Sequence, residues 1–213
     1  MTKNRSMTVM VVVLAAAVVI TGGLMASNMG FKLNRALLAG SDPGSNSGTQ
    51  TLGLPYNRQV GIDNVSDLFG DIAGVQNIQA YNTQTDGYNF YSFGSPDFAL
   101  VAGQGLFVKV GVNTNYIVVG SHDPSAVIQL ESAGAASNSG TNFYAPPYHG
   151  TASDATALFQ ELGATNVQNI QGYNTATDGL LFYSFGSPNF SIVPGEAYFV
   201  KMGTTLAYSP SHY

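Results

Sequence analysis

The sequence predicts a mainly β chain: two tandem, homologous, small β-sandwich or barrel domains, each with one short helix, behind an N-terminal hydrophobic segment. Three observations predict it. The chain repeats itself at an offset of 92 residues. Each copy alternates short apolar and polar runs between Gly and Pro. One long apolar stretch stands alone at the start. The expected boundaries are 1–26 for the leader, 27–122 for the first copy and 123–213 for the second.

The leader comes first. Lys3 and Arg5 precede an apolar run over 7–21 that only Thr8 and Thr21 interrupt. Gly22-Gly23-Leu24-Met25-Ala26 then leads into the polar Ser27-Asn28. A cationic start, an apolar centre and a small closing residue describe an export signal. Cleavage is expected after Ala26, with Gly23 as the fallback. Two other readings stay open: an uncleaved anchor, since 7–26 is just long enough for a hydrocarbon core of about 30 Å, and a pilin-type leader. All three put the remaining chain outside the cytoplasm, and the cleaved signal is favoured.

Composition narrows the function. Of 213 residues, 9% are charged, against roughly 25% in an ordinary soluble domain. Beyond the leader, five basic and twelve acidic side chains give 5 − 12 = −7. That balance excludes nucleic acid, which needs clustered cations to displace counterions. Without cysteine there is no disulfide, thiolate nucleophile or zinc–thiolate site.

Residues 75–111 and 167–203 are identical at 25 of 37 positions. The run 90–96 (Phe-Tyr-Ser-Phe-Gly-Ser-Pro) returns unchanged at 182–188, and Ser-Asn-Ser-Gly-Thr at 45–49 returns at 137–141. Each copy opens with a strand, 31–38 or 126–131. A Gly/Ser/Asn loop leads to a second strand, 49–56 or 141–148. A short helix follows near 65–72 or 155–162, with Leu68, Phe69 and Ile72 at helical spacing and Asp63 or Asn64 as N-cap. Strands 78–81 and 88–93 flank a polar loop whose Asp-Gly supplies a positive φ. Strands 98–101, 106–110 and 115–119 complete the unit. Seven short strands and one helix in about 90 residues read as a small sheet-dominated fold.

Taken together, the order Gly48-Thr49…Leu54-Pro55, a helix, Tyr-Asn-x-x-Thr-Asp-Gly, then Pro194-Gly195-x-x-Tyr198-Phe199-Val200-Lys201 resembles a recurrent module of exported bacterial and archaeal proteins. Residues 27–32 and 116–124 are similar to a group of uncharacterised secreted or cell-surface proteins from anaerobic bacteria. Those relatives often carry Trp where this chain has Tyr or Phe, as at Tyr116. The resemblance covers nearly everything after the leader. It implies cell-surface or extracellular placement, tandem copies of a β-rich module and no catalytic residues.

Candidate chemistry is sparse. His122 and His212 end the two copies at equivalent positions and read as turn residues rather than a metal pair; His149 is the third histidine. Ser121-His122-Asp123 has triad letters, but consecutive residues cannot converge on one proton path. Asp86 and Asp178 read as turn formers. Asp63, Asp67 and Asp71 lie along a helix face, not in a calcium loop. No catalytic, metal or cofactor site is expected, and no cofactor. Lys109 and Lys201, kept in both copies, either stay solvated or pair with a carboxylate between the copies.

Two functions follow as expectations. The first is a non-catalytic extracellular structural protein that assembles with itself into a filament, sheath or surface layer. Its assembly strand would carry Phe31, Leu33 and Leu37, added to a neighbour's sheet. The second is a binding module for cell-envelope polysaccharide, using the aromatics Tyr81, Tyr88 and Tyr173. Core or interface packing is the commoner use of such rings. Membrane contact would run only through the N-terminal segment.

Overall fold

The computed structural model describes residues 31–58, 61–121 and 123–211, and the leader, His122 and His212 lie outside that range. The described chain is mainly β. Its first half runs β1 (Phe31–Leu37), β2 (Thr49–Gly53), β3 (Asn57–Arg58), α1 (Val65–Asp71), β4 (Val75–Asn82), β5 (Gly87–Tyr91), β6 (Gly105–Val110) and β7 (Thr114–Ser121). The second runs β8 (Ile128–Leu130), β9 (Thr141–Tyr144), α2 (Ala155–Glu161), β10 (Val167–Asn174), β11 (Gly179–Tyr183), β12 (Tyr198–Met202) and β13 (Leu206–Tyr208).

Equivalent sequence takes equivalent places. The strand orders β2-β6-β4-β5 and β9-β12-β10-β11 define two four-stranded antiparallel sheets. A smaller sheet accompanies each, β1-β7-β3 in the first half and β8-β13 in the second. Even an irregularity recurs: register shifts between Val75 and Asn77 opposite β6, and between Val167 and Asn169 opposite β12.

Alternation decides where the cores sit. In β6, Leu106, Val108 and Val110 turn toward α1 and the small sheet, where Leu37, Leu68, Ile78 and Tyr116 join them. Phe107 turns the other way, into a separate cluster shared with the second half. The second half repeats the arrangement around Leu158, Ile170, Val200 and Tyr208. Tyr91 and Phe90 point to opposite faces, as their spacing predicts. Tyr91 meets the Phe69 ring of α1 edge-on at 5.3 Å, and Tyr183 meets Phe159 likewise at 5.6 Å.

Both helices start where a side chain satisfies free amides. The Asp67 carboxylate accepts from the Asn64 N–H at 2.9 Å, and the Asp154 carboxylate from the Ala157 N–H at 2.8 Å. The stretch expected as strand 98–101 forms only a bridge, Asn64 with Ala99, repeated as Asp154 with Ser191. Its partner is the short segment entering the helix, so no ladder can lengthen there. The positive φ at the hairpin tips belongs to Asp86 (54°) and Asp178 (53°) rather than to the glycines that follow. Gly87 is already paired with Asn82 in the ladder.

Leu68 and Leu158 fill equivalent places under the helices and are buried. Replacing either with Ala should cost about 2–5 kcal/mol. Urea denaturation should show similar losses for the two variants.

Candidate functional site

The recurring motifs converge on the seam between the two copies. At its centre three rings stack: Phe107 on Phe143 at 4.7 Å and Phe143 on Phe199 at 4.4 Å between centroids. Phe107 and Phe199 are repeat equivalents. Each also receives a tyrosine edge from the opposite copy, Tyr173 on Phe107 at 5.2 Å and Tyr81 on Phe199 at 5.4 Å. Such pairs contribute about 0.5–1.5 kcal/mol each beyond area burial. The approach is close enough that a Cβ on Gly105 would come within 2.6 Å of the Ala197 Cβ and 2.8 Å of the Phe143 ring.

A polar rim brackets the rings. The Asp86 carboxylate accepts from the Tyr81 hydroxyl at 2.6 Å within its own hairpin. It also accepts from Asn138 Nδ2 at 2.7 Å and Ser139 Oγ at 2.8 Å across the seam. Asp178 does the same with Tyr173 at 2.5 Å, Asn46 at 2.8 Å and Ser47 at 3.0 Å. Backbone bonds double the contact: Asn138 N–H to Thr83 carbonyl at 2.8 Å and Asn46 N–H to Thr175 carbonyl at 3.0 Å. The donor loops are shaped locally. The buried Ser45 and Ser137 hydroxyls accept from Gly48 and Gly140, both at positive φ, and a Cβ on Gly48 would strike the Val110 carbonyl at 2.6 Å.

Those donors hold both carboxyls below their ordinary value, Tyr81 contributing most at Asp86 and Tyr173 most at Asp178. The charge of Lys109 adds to the effect on Asp178. Burial, with the Asp86 hydrogen bond, pushes Tyr81 up to about 12. Burial and Asp178 push Tyr173 up as well.

A third reciprocal set ties strand ends. Gly53 N–H donates to the Gly195 carbonyl at 2.8 Å and Ala145 N–H to Gly103 at 2.9 Å. The Tyr56 hydroxyl donates to the Ala145 carbonyl at 3.2 Å and the Tyr148 hydroxyl to Gly53 at 3.0 Å. Residue i meets j+92, and i+92 meets j, which is the logic of an isologous contact.

The two sides of the seam also differ at its ends. Beside β1, Arg35 pairs with Glu196 at 3.1 Å, and Gly195 lies under the Leu33 and Arg35 side chains. On the opposite side Gln104 replaces Glu196 and the shorter β8 replaces β1. An open groove of about 360 Å³ lies there, lined by Tyr81, Gln104, Ile128, Asn142 and Phe143 among others. Among the described residues no group of three His, Asp or Glu side chains comes together.

Of the residues singled out in the sequence, Tyr81 and Tyr173 lie in the seam. Tyr88 is half-exposed at its margin, edge-on to Tyr81 at 5.6 Å and to Phe107 at 5.9 Å. The strand carrying Phe31, Leu33 and Leu37 pairs along its whole length with β7 of the same chain, with Leu37 fully buried. Sequence reasoning missed Asn46, Ser47, Asn138 and Ser139. Their recurrence at the offset that also relates Asp86 to Asp178 was the available signal.

The chain matches no protein-family model, no curated protein and no solved structure.

Replacing Phe107 with Ala should cost about 3–5 kcal/mol and merge less sharply into one melting transition, read by calorimetry. The carboxylates act oppositely to the tyrosine in pH. Depressed Asp86 and Asp178 contribute fully above 3.8 and lose their contribution as pH falls below it. Tyr81, raised above 10, contributes fully below that value and loses its contribution as pH rises toward about 12. Melting temperature against pH should therefore be flat between these limits and fall beyond both. Asp86→Asn with Asp178→Asn should flatten the acid limb.

Proposed function

We propose that this chain is a non-catalytic extracellular structural protein that assembles with itself. In this reading two tandem homologous β-sandwich or barrel domains follow a leader removed after Ala26, and the product forms a filament, sheath or surface layer. The observation that carries the reading is the seam itself, where the two copies meet through paired, reciprocal contacts. A surface evolved for its own kind is the elementary requirement of a repeating assembly. Low charge supports it too, because closely packed subunits then repel one another little. The carboxylates Asp86 and Asp178 are each engaged by three hydrogen-bond donors. The resemblance to tandem-module surface proteins points the same way.

The groove beside Gln104 favours a second reading. A ring and an amide along one open channel suit a polysaccharide chain, with Tyr81 and Gln104 as contacts and the half-exposed Tyr88 beside them.

Negative-stain microscopy of the concentrated protein should show ordered arrays, and mass spectrometry of the native protein should find Ser27 at its N-terminus. Dispersed single chains at every salt concentration and pH would reject the assembly. Retention of those single chains on cell-wall polysaccharide would favour the second reading instead.

A further inference from the structure

Among the described strands that end a sheet, β3, β8 and β13 are only two or three residues long, which leaves the longer ones to compare. β5 and β11 each end a four-stranded sheet, so one side of Gly87–Tyr91 and of Gly179–Tyr183 presents unpaired backbone donors and acceptors. The opposite edges, β2 and β9, run into the seam, and β1 carries Lys32 and Arg35. Soluble proteins blunt exposed edges with charge, proline or bulges. Gly-Tyr-Asn-Phe-Tyr and Gly-Leu-Leu-Phe-Tyr contain no charge or proline, and their registers with β4 and β10 are unbroken.

Apolar groups accompany these edges. Tyr88, Phe90, Leu180, Leu181 and Phe182 are exposed along them. Just beyond lie Phe93 and Phe185, 95% and 89% exposed, the most exposed large apolar side chains among the described residues. They are repeat equivalents inside a seven-residue run identical in both copies, although 12 of the 37 aligned positions differ. Packing within the chain gives no reason to keep either ring. Through Tyr88, which touches Phe107, the apolar face of β5 continues from the seam.

We propose that β5 and β11 are the edges through which the chain joins a second copy of itself, strand to strand, with Phe93 and Phe185 packing on the neighbour. This rests on the self-assembly reading above and gives the joining role to β5 and β11 in place of β1. Each chain has two such edges, so joining extends the sheets along a line rather than closing a dimer. Pairing edge to edge satisfies the free backbone groups and buries the rings together.

The test compares the full chain with edge variants by sedimentation, in a non-ionic detergent that masks the apolar N-terminal segment. The unaltered chain should grow with concentration beyond a dimer. Asn89→Lys charges one edge and should stop growth at a dimer joined through β11. Asn89→Lys with Leu181→Lys should leave single chains with an unchanged melting midpoint. Phe93→Ser with Phe185→Ser alters only exposed rings, keeps the fold and should shift growth to higher concentration. Growth of the doubly charged variant equal to that of the unaltered chain overturns the edge proposal and leaves self-assembly standing. If the doubly charged variant does not fold, unchanged growth of the serine variant overturns it equally. An unaltered chain that stays single at every concentration removes the assembly reading, and the edges with it.

Discussion

The structure depends on two sheets meeting face to face without an intervening layer. Phe107, Phe143 and Phe199 stack because Gly105 and Ala197 bring no bulk between the sheets. Such a dry contact would leave the tyrosine hydroxyls at its margin unsatisfied. Asp86 and Asp178 accept from them and then reach across to the facing loop. Apolar stacking supplies the attraction, and the carboxylates fix the register. The loops, the left-handed turn residues and the small residues all serve that one approach.

Much of this was written in the chain. The offset of 92 located the strands, since two runs aligned to each other constrain both. The spacing of Leu68, Phe69 and Ile72 placed α1, and of the two caps offered for its start, Asp63 and Asn64, the helix takes Asn64. Alternation separated Phe90 from Tyr91. Other features were not legible for physical reasons. The stretch around Ala99 has apolar residues like a strand, but the partner it finds is only the entry to a helix. The hairpin loop spans four residues, which moves the left-handed position from Gly87 to Asp86.

The seam was the least legible part. A recurring Ser-Asn-Ser-Gly states that a loop is kept; it does not state what the loop touches. Phe143 had no signal at all, because its equivalent is Thr51, whose hydroxyl accepts from Ala197 N–H at 3.2 Å. A third ring on one side and a hydroxyl on the other complete the same contact by different chemistry. The Arg35–Glu196 pair and the facing groove are a similar divergence, since an ion pair on one side has an amide and an open channel as its counterpart.

The short connection between β7 and β8, residues 122–127, has a consequence of its own. It tethers each module to its mate, so the pairing is unimolecular and its effective concentration reaches about the millimolar range for short flexible links. Dilution into an open environment therefore cannot separate the pair, as it would separate two independent chains. Tethering also fixes which module lies on which side, so each can change alone, one gaining a charge where the other keeps a hollow.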